Sequence, residues 1–147
     1  MVNTDIIDLL AAVKDPELPM ISIFDLGILR RVLQQNGRWQ VIITPTFSGC
    51  PAMNEIERNI HTVLTQGNVG EFDIVKELSP PWRSTDVSAS GRKLLHENGI
   101  AFADDGVRCP RCDSTNTLGI SDYGATACKS FARCLSCKEP FEVFKAH

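Results

Sequence analysis

A chain of 147 residues can hold one core domain of about 100 residues plus a small appendage, but not two cores of equal size. The formal net charge is −3, with 9 Lys/Arg against 14 Asp/Glu over residues 1–106 and 6 against 4 over residues 107–147, a balance that argues against an electrostatically driven nucleic-acid binder. No apolar run approaches the roughly 18 residues of a membrane span, and residues 1–5 lack the basic and apolar segments of a secretory signal, so the sequence predicts a cytoplasmic, non-membrane protein.

Ile6, Leu9, Leu10 and Val13 recur at helical spacing after Thr4, and Asp5 suits the positive end of a helix dipole. This first helix must end before Pro16, because Asp15-Pro16-Glu17-Leu18-Pro19 loses backbone donors and is biased toward extended geometry; it reads as a shaped loop. Residues 27–34 and 38–44 flank Asn36-Gly37, a pair that accepts the positive φ angles of a tight turn, and predict a β-hairpin. Pro51 fits the first turn of a second helix lined by Met53, Ile56, Ile60, Val63 and Leu64, with Gly67 near its stop, which puts Cys50 at its N-terminus. Phe72, Ile74 and Leu78 predict a third strand ending at Pro80-Pro81. Leu94 and Leu95 predict a last short helix that Asn98-Gly99 terminates. The order α, β, β, α, β, α is an α+β arrangement. Residues 101–107 carry two aspartates and a glycine without an apolar period and read as a linker, giving domains at 1–103 and 107–147.

The C-terminal segment is too short for an independent apolar core and needs a staple. Cys109-Pro110-Arg111-Cys112 and Cys134-Leu135-Ser136-Cys137 are two C-x-x-C knuckles separated by 21 residues, a pattern that supplies four thiolates to Zn²⁺ and predicts a β-rich zinc ribbon. Four thiolates close the coordination sphere, so this zinc would stabilise a surface and would not activate water. Cys128 gives C-x5-C-x2-C with Cys134 and Cys137, which misses the plant ferredoxin spacing and lacks a fourth cysteine beyond it. It is either a small buried hydrophobe or a spare ligand for a metal in transit.

Cys50 stands where a strand passes into a helix, so unpaired amides and the helix dipole would favour its thiolate; the alternative is a buried, inert thiol. Thr46 and Ser48 could donate hydrogen bonds to it, although both residue types also serve as caps and turn formers. Other chemistries lack a basis. His61, His96 and His147 form no H-x-x-x-H pair, Glu57 stands four rather than three residues before His61, and no Gly-rich phosphate loop is present.

Asp15-Pro16-Glu17, Phe24-Asp25-Leu26-Gly27-Ile28, Ser48-Gly49-Cys50-Pro51 and Ser79-Pro80-Pro81-Trp82 resemble the iron–sulfur assembly domain shared with SufT, over about residues 4–103. With residues 88–100 and a ribbon containing Ala127-Cys128-Lys129, the whole chain resembles the PaaD family of phenylacetate-degradation proteins. The resemblance implies an αββαβα iron–sulfur-assembly-type domain followed by a zinc ribbon. It also implies a partner role with the multicomponent monooxygenase that epoxidises the ring of phenylacetyl-CoA, whose oxygenase and reductase activities belong to other subunits. This chain would then not be a complete enzyme. Its expected task is to help mature the iron–sulfur centre of the reductase subunit, with transient iron or a cluster handled at Cys50 and with Asp15 and Glu17 as the family's acidic motif. From the residues alone, those two acids serve equally well as turn formers beside prolines. A stoichiometric structural subunit of the monooxygenase is the second expectation and a zinc-ribbon regulator of nucleic acid the third; the sequence leaves monomer and homodimer both open.

Overall fold

The computed structural model of the protein describes residues 2–46, 52–124 and 129–145. The expected elements are present in the expected order: α1 (Asn3–Leu10), the hairpin β3 (Leu29–Gln35) and β4 (Arg38–Ile43), α2 (Ala52–Gln66), β5 (Phe72–Lys76) and α3 (Ala89–Glu97). The loop around Asp15 is more ordered than expected, since β1 (Lys14–Asp15) and β2 (Leu18–Ser22) form a small antiparallel pair there. Three further strands follow in the C-terminal part, β7 (Thr117–Ser121), β8 (Lys129–Cys134) and β9 (Pro140–Phe144), joined by β6 (Ile100–Phe102). The fold is mixed α+β.

The chain divides into two compact units, residues 1–82 and 83–147. In the first, β3 and β4 are antiparallel and turn through Asn36 (φ 52°) and Gly37 (φ 76°), while β5 returns parallel to β4 after the α2 crossover. Helix α2 buries Ala52, Met53, Ile56, Ile60 and Leu64 on one face, and α1 lies against α2 and β3 with Ile6 and Leu10 fully buried. Gly67 stands directly after the last residue of α2, as expected, and has a second job. The left-handed residue is Asn68 (φ 53°), whereas a Cβ on Gly67 would come within 2.8 Å of Leu9 Cδ1, so the glycine admits α1 to the end of α2. Two ion-pair clamps span the sheet: Arg38 holds Asp73 and Glu71 at one end, and Arg30 and Arg31 hold Glu77 at the other.

Two of the sequence motifs lock onto each other. Ser22, buried, accepts the Asp25 amide and donates to the Asp25 carboxylate, and the turn closes at Gly27 (φ 82°). The carbonyl of Leu26 thereby meets the indole of Trp82, which is 2% exposed and donates Nε1–H across 2.9 Å. Tryptophan suits the end of the Ser79-Pro80-Pro81-Trp82 segment because it fills volume and satisfies a buried carbonyl at once.

The placement of a linker at 101–107 and of a domain boundary there differs from the structure. Ile100, Ala101 and Phe102 are all buried and pair in parallel with Glu142, Val143 and Phe144, so they belong to the C-terminal sheet, whose order is β6-β9-β8-β7. A 3-10 turn (Ala103–Asp105) follows, held by the Arg92 guanidinium on Asp104 at 2.6 Å. Arg92 also lies 4.1 Å over the Phe102 ring, and hydrogen bonds from it and from Ser84 hold the Asp104 carboxyl below the usual range. Three residues are too few to show a period, and their partner strand lies some forty residues away.

Trp82→Phe keeps most of the volume but leaves the Leu26 carbonyl without its donor. Urea unfolding of the full chain, followed by a probe in the first unit, should show a loss of about 1–3 kcal/mol; unchanged stability would mean that the hydrogen bond contributes nothing net.

Candidate metal centre

The two C-x-x-C segments fold into the same turn. In each, the amide of the first cysteine donates to the carbonyl five residues on (Cys109 to Ser114 and Cys134 to Glu139, both 2.9 Å). The amide four residues on returns to that cysteine's carbonyl, from Asp113 at 2.8 Å and from Lys138 at 3.0 Å. Both closing residues are left-handed, Asp113 at φ 64° and Lys138 at φ 71°. Asp accepts that region more readily than Lys, for which only a strong local constraint compensates. The turns are tied together by a Ser114–Ser136 hydroxyl contact of 2.9 Å and by the Leu135 amide on the Asn116 carbonyl.

This doubling brings four sulfurs to one point. All lie within 4.8 Å of one another, with Cys109–Cys137 at 3.6 Å and Cys112–Cys134 at 3.5 Å. These are not disulfide lengths of about 2.05 Å. They approach the sulfur–sulfur spacing of roughly 3.8 Å that Zn–S bonds of about 2.3 Å impose on a tetrahedron, so the donor set fits zinc. Cys109 and Cys134 are fully buried, Cys137 is half-buried and Cys112 exposed, which leaves one edge of the site facing water. Around it, Arg108 pairs with Asp113 and Arg111 with Glu139.

Without metal the thiols polarise one another. Cys134 is drawn down to about 6, first by the Cys137 amide, which donates to its sulfur at 3.4 Å, and then by the Cys112 thiol. For Cys112 the Ser114 amide pulls downward, but hydrogen bonding to Cys134 and burial outweigh it and the thiol is pushed up to about 12. Cys137 is also raised: the Glu139 amide lowers it, and burial and the Cys109 sulfur prevail.

The N-terminal candidates are distributed differently. Ser48 and Cys50 lie outside the described residues, as does Cys128. Thr46 is buried beyond the end of β4, after Thr44, whose amide donates to the Ile28 carbonyl. Asp15 is 4% exposed, and its Oδ1 accepts the amides of Glu17 at 2.7 Å and Leu18 at 3.2 Å, so it builds the turn; the Glu17 side chain is exposed. Asp15 also lines a groove of about 400 Å³ with Pro16, Pro19 and, from the early turns of α2, Glu55 and Asn59. Asp15 of the acidic motif and α2 therefore share one groove. Glu55 and Asn59 were missed in the sequence; their four-residue spacing on the polar side of α2 was the available signal.

Residues 3–71 match the family model described as iron–sulfur cluster assembly protein, and residues 96–145 match the PaaD zinc beta ribbon domain. A protein of Escherichia coli (strain K12), named as a subunit of "Putative 1,2-phenylacetyl-CoA epoxidase", is 40% identical over 146 aligned positions, which span 93% of this chain and 88% of that one. The chain belongs to the PaaD family. Among solved structures, the domain of unknown function DUF59 from Bacillus anthracis superposes with a TM-score of 0.59 at 28% identity, covering 63% of this chain and 90% of its own. A conserved hypothetical protein from Thermotoga maritima shares the fold, with a TM-score of 0.55 at 21% identity over 65% of this chain and 94% of that one. No helix among the described residues is long and apolar enough to cross a membrane. In the ribbon, Lys129 is 3% exposed and paired with Glu142 at 3.4 Å.

Thiolate ligation makes metal binding compete with protons. The raised Cys112 and Cys137 must deprotonate to bind, so apparent zinc affinity, measured against a competing chelator, should fall as pH is lowered, and binding should release protons. Cys112→Ser or Cys137→Ser should lose the metal; full zinc content in either variant, or a pH-independent affinity, would reject this ligand set.

Proposed function

We propose that this PaaD-family protein is a cytoplasmic accessory factor of the phenylacetyl-CoA epoxidase system that assists maturation or insertion of the iron–sulfur centre of the reductase subunit. The carrying observation is the pairing, in one chain, of an iron–sulfur cluster assembly match over residues 3–71 with kinship to a protein named as an epoxidase subunit. Physical chemistry supports the division of labour. The four-thiol ribbon is coordinatively closed and suits a structural Zn²⁺, whereas Cys50, between β4 and α2, is a soft donor beside a helix start, able to hold iron or a cluster briefly. In this reading Thr46 and Ser48 assist Cys50, and Asp15 and Glu17 act with it as the acidic motif, Asp15 from a groove it shares with Glu55 and Asn59. Ring chemistry in this reading belongs to the other subunits of the system.

A second reading, a stoichiometric structural subunit of the monooxygenase, is favoured by the word "subunit" in the relative's name. Oxygenase and reductase purified from cells lacking this chain separate the two. An iron- and sulfide-depleted reductase supports maturation, and a fully loaded reductase with normal turnover overturns it.

Cys50→Ser keeps a small polar side chain but removes the soft ligand. The variant should fold, keep its zinc and still bind its partners, yet fail to restore reductase cluster content or growth on phenylacetate to cells lacking the protein. Normal growth with a well-folded variant would overturn cargo handling at Cys50.

Asp15 calls for a paired test, because it builds a turn whatever else it does. Asp15→Asn retains an oxygen for the Glu17 and Leu18 amides and should keep stability near that of the parent, whereas Asp15→Ala should lose about 1–2 kcal/mol of unfolding free energy. If Asp15→Asn is stable but does not restore reductase iron, the carboxylate acts beyond the turn; full restoration assigns Asp15 to structure alone.

A further inference from the structure

The four thiols of the metal centre differ in access. Cys109 and Cys134 are fully buried and Cys137 is half-buried, so Cys112 is the one of the four that stands exposed to water. As a zinc ligand it is a thiolate, the nucleophilic form of cysteine. The sulfurs are also unevenly paired. The two sulfur–sulfur contacts with hydrogen-bonding geometry, Cys112–Cys134 at 3.5 Å and Cys109–Cys137 at 3.6 Å, both run between the knuckles. The exposed sulfur therefore has its buried neighbour on the other turn.

We propose that the metal centre is a reversible redox switch, in which a peroxide oxidises the exposed Cys112, Cys134 closes a disulfide onto it, and the zinc held by the four thiolates is released.

In the first step the Cys112 thiolate attacks one oxygen of hydrogen peroxide. An S–O bond forms, the O–O bond breaks, and the departing hydroxide takes a proton from solvent to become water. The sulfenic acid so formed is no longer a thiolate ligand. The Cys134 thiolate then attacks the Cys112 sulfur, so that the S–S bond forms, the S–O bond breaks and a second hydroxide leaves as water. Two thiolates have given up two electrons, and one peroxide has become two water molecules. Cys134 suits the second step, because the Cys137 amide donates to its sulfur at 3.4 Å and favours the anion. Closing the 3.5 Å contact to a bond takes about 1.5 Å of movement. Cys109 and Cys137 alone remain as thiolates, half of the donor set of a four-cysteine zinc site.

The backbone keeps the two turns together while this happens. The Ser114–Ser136 contact, the Leu135 amide on the Asn116 carbonyl and the pairing of Thr117 with Cys134 involve no sulfur. The new bond joins the same two turns that the metal joins, and it restricts the chain that metal loss would otherwise free. An oxidised ribbon is thus still stapled, whereas one stripped of metal with its thiols reduced is not. Reduction returns all four thiols to one point. The proposal rests on zinc in the four-thiol site and is independent of the maturation reading.

Treating the zinc-loaded full chain with less than equimolar hydrogen peroxide, beside a zinc-sensitive dye, tests it. Two free thiols should disappear for each zinc released, and tandem mass spectrometry should find Cys112 linked to Cys134. Dithiothreitol with added zinc should restore both thiols and metal. Residues 107–147 of the oxidised chain should resist limited proteolysis longer than those of the reduced chain stripped by a chelator. Cys112→His keeps a fourth zinc ligand but removes the exposed sulfur, and should need at least about tenfold more peroxide for the same release. Thiols lost while zinc stays bound, a first disulfide at any other pair, a ribbon cut as fast as the chelated one, or a zinc-loaded Cys112→His protein that releases its metal as readily as the parent each overturns the proposal.

Discussion

Four sulfur atoms within 4.8 Å of one another hold together two turns that stand 22 residues apart from Cys112 to Cys134, and the C-terminal unit depends on that convergence. One buried cluster of that unit holds Ala101, Cys109, Ala132, Cys134, Phe141 and Val143, so two of its six members are metal-ligand candidates. The ribbon segment after residue 106, some forty residues long, is too short to offset its ordering entropy by apolar burial alone. A structural zinc site, where filled, supplies on the order of 10 kcal/mol or more, enough to offset such a deficit. The repeated turn explains how so short a segment builds such a site: each knuckle uses the same two backbone hydrogen bonds and the same left-handed closing residue, so one local solution is used twice.

The N-terminal unit rests on the opposite physics. Its core of Ile6, Leu10, Ile21, Ile23, Ile43, Ile56, Ile60 and Leu64 is apolar and needs no staple. Here the motif residues mostly hold the backbone: Ser22 and Asp25 shape a turn, Trp82 caps its carbonyl, and Asp15 ties Glu17 and Leu18. A motif residue can therefore be structurally necessary and still border a groove, as Asp15 does. The two units leave chemistry and surface in separate places, with a closed thiol site in one and a groove beside a helix start in the other.

Local signals were legible and distant ones were not. The hairpin at Asn36-Gly37, the apolar face of α2 and the C-x-x-C spacing are set by residues within a few positions of one another, so periodicity and turn chemistry specify them directly. By contrast, Ile100–Phe102 became a strand because β9 reaches it from far along the chain, Lys129 became a buried ion-pair partner because Glu142 stands across the sheet, and Gly67 was chosen for the approach of Leu9. No window of sequence contains those partners.

By itself, then, the sequence determined the element types, the four thiols and the family, because each follows from residue identity at short spacing. Tertiary structure alone decided that 100–102 complete the ribbon's sheet and that Asp15 shares a groove with Glu55 and Asn59. The physical reason is that strand pairing and side-chain burial depend on which distant segments meet, a property of the folded chain and not of any stretch of it.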